Sequence, residues 1–205
     1  ESWFSELTVG ESRVGSEAVT VIDDPTLPGN PAFYLYDDEG VKARPRQLIK
    51  NGVLNELLLN REAAAMLGTG STAAARAEDY DREPIVRMAN TFIAPGGYDP
   101  EEILEDVENG ILISSFTEWN IDDRRYHSKY VGSYARRIVK GELGELVWRP
   151  VLELSTPGLF GSIDACSKGF AADLATCGKS EPMQGVPVWT GGPAAVRLRD
   201  VVVGA

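Results

Sequence analysis

Gln47-Leu48-Ile49-Lys50-Asn51-Gly52-Val53-Leu54-Asn55-Glu56-Leu57-Leu58-Leu59 is the stretch that decides the fold class. Two apolar runs flank Asn51-Gly52, a pair that tolerates positive φ at both positions. Such a pair forms the type I′ turn that joins antiparallel strands. A hairpin is therefore expected, with strands over 47–50 and 53–59. Working outward, residues 16–23 (SEAVTVID) are β-branched at their centre and read as a strand closed by Asp23-Asp24-Pro25. Residues 32–36 read as another strand, stopped by Asp37-Asp38-Glu39-Gly40. Residues 61–67 (REAAAML) read as a short helix with Gly68 beyond its end. Residues 69–83 are small and polar without periodicity, and a long exposed loop is expected there.

Strand character returns over 85–94, which carries Arg87, Asn90 and Thr91, and Pro95-Gly96-Gly97 breaks it. Asp99 is a good N-cap, with Pro100 at the first helical position and Glu101-Glu102 at the positive end of a helix over 100–109. Ile103, Leu104 and Val107 form its buried side. A strand over 111–113 follows, then a stretch rich in aromatics and charges from 117 to 134. Arg136-Arg137 opens another strand, and Gly141 to Gly144 turns the chain into one over 145–151. A helical turn is expected over 158–160 and 163–165, and strands over 186–189 and 195–203 finish the chain. Short strands, hairpin turns and few helical pieces define the class. It is α+β, a mostly antiparallel β-sheet with two or three short helices, in a single domain spanning 1–205.

The 31 acidic residues outnumber 20 Lys and Arg, a net charge of −11. Without a basic face for phosphates, no nucleic-acid partner is expected. No apolar run reaches the eighteen or so residues that a membrane span requires, so none is expected. Six lysines leave arginine as the main cation, a balance that suits a salt-rich cytosol. Two cysteines, Cys166 and Cys177, are too few for a disulfide framework, and reduced thiols in a cytoplasmic setting are expected. The chain opens on Glu1 rather than Met and is expected to be a piece of a longer protein.

Cys177 stands in Thr176-Cys177-Gly178-Lys179, expected to be a glycine-flanked turn before the strand at 186–189. On its own it reads first as a small buried hydrophobe and second as a soft zinc ligand or a nucleophile. His127 is the single histidine, and a Cys-His pair is the weaker reading beside a surface residue in an arginine-rich stretch. Asp122-Asp123 reads as a solvated acidic turn before it reads as paired catalytic carboxylates. Gly191-Gly192 before Pro193 reads as a turn rather than a phosphate cradle.

The motifs taken together resemble the C-terminal half of the TldD/PmbA proteins, also called modulators of DNA gyrase. They run Asp38-Glu39-Gly40, Leu48-Ile49-Lys50-Asn51-Gly52-Val53-Leu54, Arg87-Met88-Ala89-Asn90-Thr91 and Asp99-Pro100-Glu101-Glu102-Ile103. They end with Thr176-Cys177-Gly178-Lys179, Gln184-Gly185-Val186-Pro187-Val188 and Gly191-Gly192-Pro193. The order is collinear over essentially the whole chain. The chain departs from the family at Ser114-Ser115-Phe116-Thr117-Glu118-Trp119-Asn120, where a glycine-rich stretch is commoner.

The resemblance implies a zinc metallopeptidase of the TldD-like branch. In that branch a His-Glu-x-x-x-His helix gives two zinc ligands and a catalytic Glu, and Cys177 gives the third ligand. That helix is absent here and would lie upstream of Glu1, so no catalytic residue is expected in this chain, which would be inactive alone. Cys177 is the expected metal ligand; Arg87, Asn90 and Thr91 are the expected substrate-binding residues. The implied partners are an unfolded or leader-type peptide bound by strand addition to a sheet edge, the N-terminal half of the parent protein, and a PmbA-like subunit or a second copy in a dimer. The competing reading is a non-catalytic peptide- or subunit-binding module of the PmbA-like type.

Overall fold

The structure, a computed structural model, describes residues 2–204. Its elements follow a 3-10 turn at Trp3–Glu6, and most of them are strands. In the first half these are β1 (Val21–Asp23), β2 (Arg46–Lys50), β3 (Val53–Leu54), β4 (Ala75–Arg76), β5 (Ile85–Val86) and β6 (Asn90–Ile93). The second half has β7 (Asn109–Ile121), β8 (His127–Val139), β9 (Glu142–Val147), β10 (Val151–Ser155) and β11 (Ile163–Cys166). It ends with β12 (Ala171–Lys179), β13 (Gln184–Gly192), β14 (Val196–Leu198) and β15 (Val203–Gly204). Three short helices interrupt them, α1 (Arg61–Met66), α2 (Pro100–Glu105) and α3 (Thr156–Ser162). The α+β, mostly antiparallel class is the one the punctuation of the sequence indicates.

One sheet has six strands in the order β12-β13-β6-β1-β2-β3, antiparallel throughout except for the parallel β13–β6 pair. A five-stranded sheet is built on β8, which, like its partner β7, runs for 13 residues. One edge of β8 pairs with β7; the other is shared by β10 over its first half and β9 over its second. Two small ribbons, β4–β5 and β11–β14, complete the pairing. Val14, Val19, Val21, Ile49, Leu54, Ile163 and Cys166 form a core, with Trp3, Phe4, Leu48 and Phe160 packed against it.

The Asn51-Gly52 turn is present, with φ of 48° and 78°. Its tip is not free in solvent. The Gly52 carbonyl accepts from the Val14 and Gly15 amides at 2.7 and 3.1 Å, and its amide donates to the Val19 carbonyl at 2.8 Å. A Cβ on Gly52 would strike the carbonyl oxygens of Gly15 and Ser16. The left-handed conformation alone costs a side chain about 1–2 kcal/mol. With the clash added, Gly52→Val should lose about 3 kcal/mol, measured as a urea midpoint shift at constant slope. An unchanged midpoint would count against this packing.

Several elements differ from what the sequence suggests. The second arm of the hairpin pairs only over β3, because the Glu56 carboxylate and the Asn55 amide then take over the main-chain groups of Gln47, at 2.6 and 2.7 Å. Residues 32–36 form no strand and are mostly irregular, with a single bridge from Tyr36 to Lys42. The expected exposed loop at 69–83 dives inward at its centre: Ala73, Ala74, Ala75 and Arg76 are all buried. Alanine side chains let the backbone pass close under β2, where Arg46 reaches the carbonyls of Thr72 and Ala73. The strand expected over 85–94 is split into β5 and β6, with Arg87 turned inward between them.

The helix expected over 100–109 ends at Glu105, and Asn109 already belongs to β7. Its start is as read, with the Glu102 carboxylate accepting from the Asp99 amide at 2.7 Å in a capping box. Ile163–Cys166 is strand, not helix, paired with β14.

Candidate functional site

Cys177 does not occupy a turn. It lies within β12, opposite Val186 of β13, and the chain reverses only after Lys179. Gly178 continues the ladder opposite Gly185 rather than breaking it. β12 is an outer strand of the six-stranded sheet, with one side unpaired by any strand among the described residues. Most of its residues are exposed, and Cys177 is half-buried.

Both thiols are free, as expected, but their surroundings differ. Cys166 belongs to the core, and burial, with Asp164 nearby, pushes its thiol pKa up. Cys177 stands on the outer strand. An alkylating reagent should therefore modify Cys177 within minutes and Cys166 only on unfolding, read by peptide mass spectrometry. Equal labelling of the two would contradict this arrangement.

The three residues expected to touch substrate do structural work instead. Arg87 is 2% exposed and donates to the carbonyls of Gln184, at 3.0 Å, and Cys177. Asn90 is fully buried, its Nδ2 donating to the Asp24 carbonyl at 2.7 Å. The Thr91 hydroxyl donates to the Asp23 carboxylate at 2.6 Å. Arg87 and Asn90 have no surface to offer a ligand, and Thr91 is committed inward. In this fold the polar groups of all three are engaged with the protein itself.

His127 opens β8 in the other sheet, exposed, with its ring edge-on to Tyr126 at 4.7 Å between centroids. Asp122 is the turn residue that the sequence suggests. Its carboxylate accepts the Tyr126 and His127 amides at 2.8 and 3.0 Å, and the Tyr126 bond foremost holds its pKa below the usual range.

No group of three or more His, Cys, Asp or Glu side chains suited to a metal exists among the described residues. A half-exposed cysteine sulfur is a fitting soft donor for zinc, yet a zinc site takes three or four protein ligands. Cys177 would supply one corner of such a site, and the described residues bring no three-donor group together around it.

The family of the PmbA/TldA metallopeptidase C-terminal domain matches residues 1–205. The chain belongs to that family. This PmbA/TldA C-terminal domain is 38% identical over 196 residues to a metalloprotease of Methanothermobacter thermautotrophicus, covering 94% of this chain and 41% of the relative. It is 30% identical over 195 residues to the zinc metalloprotease TldD homolog of Saccharolobus solfataricus, covering 94% of this chain and 43% of that one. The PmbA/TldA domain thus spans about two fifths of the length of these relatives. Its fold is similar to that of TldE from Thermococcus kodakarensis, with a TM-score of 0.77 over 96% of this chain and 42% of that one at 20% identity. No helix among the described residues is long and apolar enough to cross a membrane.

Proposed function

We propose that this domain is the zinc-ligand-bearing half of a TldD-like metallopeptidase that cleaves unfolded or leader-type peptides in the cytoplasm. The observation that carries the reading is a free, half-exposed Cys177 on an outer strand of the main sheet. Its thiolate is one ligand, and the others come from the N-terminal part of the parent protein. When bound, zinc supplies a Lewis acid that polarises a peptide carbonyl. Everything else assigned to this chain is positioning. β12 holds the thiolate, and its unpaired edge gives a peptide main-chain groups to pair with, which aligns an extended substrate without reading its side chains. That mode suits peptides without a fold of their own.

A homologous subunit or a second copy is the proposed partner. The five-stranded sheet supports it. Trp119, Tyr130 and Leu152 stand in one cross-strand row, and the Phe116 ring meets Tyr130 edge-on at 6.2 Å. Phe116, Trp119 and Tyr134 are each more than half exposed. Exposed aromatic clusters of this kind are enriched in the buried centres of interfaces. The same face favours the non-catalytic module as a second reading, since a subunit-binding surface needs no metal.

The two readings separate in one comparison. The parent protein should hydrolyse an unstructured peptide in a chelator-sensitive way. The 205-residue chain, with one donor, should show no hydrolysis above a blank at any zinc concentration. Chelator-sensitive turnover by the isolated chain would mean that the site has been misplaced. A parent protein without turnover would leave the binding module.

A further inference from the structure

We infer that Arg87 is a positioning residue: its guanidinium clamps both arms of the β12–β13 hairpin and thereby fixes where Cys177 sits. The inference rests on Cys177 being a metal ligand only for its consequence, since the clamp itself is a matter of geometry.

β13 pairs with β6 only from Trp189 to Gly191. From Gln184 to Val188 it has no strand on that side, yet Gln184, Val186 and Val188 are buried. Side chains replace the missing strand. Arg87 donates to the Gln184 carbonyl on β13 and the Cys177 carbonyl on β12. Arg76 donates to the Pro187 carbonyl at 2.9 Å and the Met88 carbonyl at 2.7 Å. Gln184 itself holds the preceding loop, donating to the Glu83 carbonyl and accepting from the Glu78 amide, both at 3.1 Å. Lys179 closes the outer arm with a 3.3 Å bond to the Val86 carbonyl.

Among these, Arg87 alone holds both strands, and one of its two acceptors is the main chain of Cys177 itself. It makes no ion pair among those of the described residues, and its buried Nε has no partner. A buried guanidinium that serves only main-chain carbonyls is a costly way to fill a core. Its planar fork, however, spans two acceptors at a fixed separation, which the ammonium of lysine does not reproduce. A ligand on an outer strand, with a strand on one side only, needs its backbone held if the sulfur is to meet donors from elsewhere.

The test is hydrogen–deuterium exchange and Cys177 alkylation on the 205-residue chain, comparing wild type with Arg87→Gln and Arg87→Lys. Arg87→Gln should raise exchange over 174–188 by about tenfold or more, with amides of β1 and β2 unchanged, since the opening is local. Cys177 alkylation should rise in step, and Arg87→Lys should recover part of both. Wild-type exchange and labelling in both variants would overturn the inference. So would a uniform rise across all strands, which would make Arg87 an ordinary core residue. If Arg87→Gln does not fold, the same comparison on Arg87→Lys decides.

In the cobalt-loaded parent protein, the thiolate-to-cobalt absorption should weaken in Arg87→Gln at equal cobalt content and vanish in Cys177→Ser. A band that survives Cys177→Ser would remove the ligand assignment, while the exchange data would still decide the clamp.

Discussion

Cys177→Ser in the parent protein is expected to bring peptide hydrolysis close to background and to lower zinc content, with the fold intact. The substitution removes a soft thiolate and leaves a hydroxyl that stays protonated near neutral pH. Three protein ligands become two, and metal affinity, which gains cooperatively from each ligand, falls steeply. The fold should survive because the sulfur of Cys177 is not part of the core, unlike that of Cys166. Substitutions at such outer positions usually stay within about 0.5 kcal/mol. The ladder around it is made by main-chain pairs and by the carbonyl that Arg87 holds, none of which involves the thiol. Cys166→Ser is the informative contrast. It buries a hydroxyl in an apolar cluster, at a cost of about 1–3 kcal/mol, and should leave turnover per folded molecule unchanged. Zinc content, melting temperature and cleavage of an unstructured peptide should be measured on both. Full zinc and full activity in Cys177→Ser would dismiss the ligand assignment and leave the binding-module reading.

The sequence revealed what local chemistry controls. Asn51-Gly52 has one low-energy arrangement between apolar runs, and Asp99-Pro100 with Glu102 has one way to start a helix, so both are present as read. It misled where a tertiary partner decides. The small residues at 72–75 lack periodicity, which reads as a loop, but small size is what lets that segment lie buried beneath Arg46. Gly178 suggested a turn at Cys177. In the fold it faces Gly185 in a continuous ladder, and the reversal comes after Lys179. Cys177 was singled out through the collinear order of motifs, not through its own neighbourhood, since one cysteine in one sequence has no partner to identify it. Arg87, Asn90 and Thr91 stood out because polar residues in an apolar strand invite a functional reading. In the fold Arg87 and Asn90 are buried against main-chain carbonyls, and the half-buried Thr91 bonds the Asp23 carboxylate. Asp23 and Arg46, also polar within apolar strands, are likewise turned inward, where they pair with each other.

That pair is the site of the second large effect. Asp23→Asn should destabilise the domain by about 3–5 kcal/mol, the usual loss when one partner of a buried ion pair is removed. Both side chains are fully buried, and Arg46 donates to one Asp23 oxygen. The other oxygen accepts from the Ala89 amide at 2.8 Å and the Thr91 hydroxyl at 2.6 Å, so β1 is tied to the segment entering β6. Arg46 reaches onward to the Tyr34 hydroxyl at 3.2 Å and the Thr72 carbonyl at 3.1 Å. Burial works against its charge, but Asp23 and Tyr34 outweigh this and its pKa is raised. Asparagine keeps the shape of Asp23 but not its charge, and its amide group places a donor where only donors now point. Arg46 is then left as a buried cation with neutral acceptors. A domain of this size has about 5–15 kcal/mol of stability in all, so the loss would consume a large share of it. Urea denaturation should show the midpoint falling at constant slope. Arg46→Met should cost a comparable amount, and the double variant Asp23→Leu with Arg46→Met much less than the sum, because apolar residues of similar volume replace buried ion pairs well. Additive losses, or an Asp23→Asn domain within about 1 kcal/mol of wild type, would mean that β1 is held by its strand pairings alone and that the buried charges contribute little to the sheet that carries Cys177.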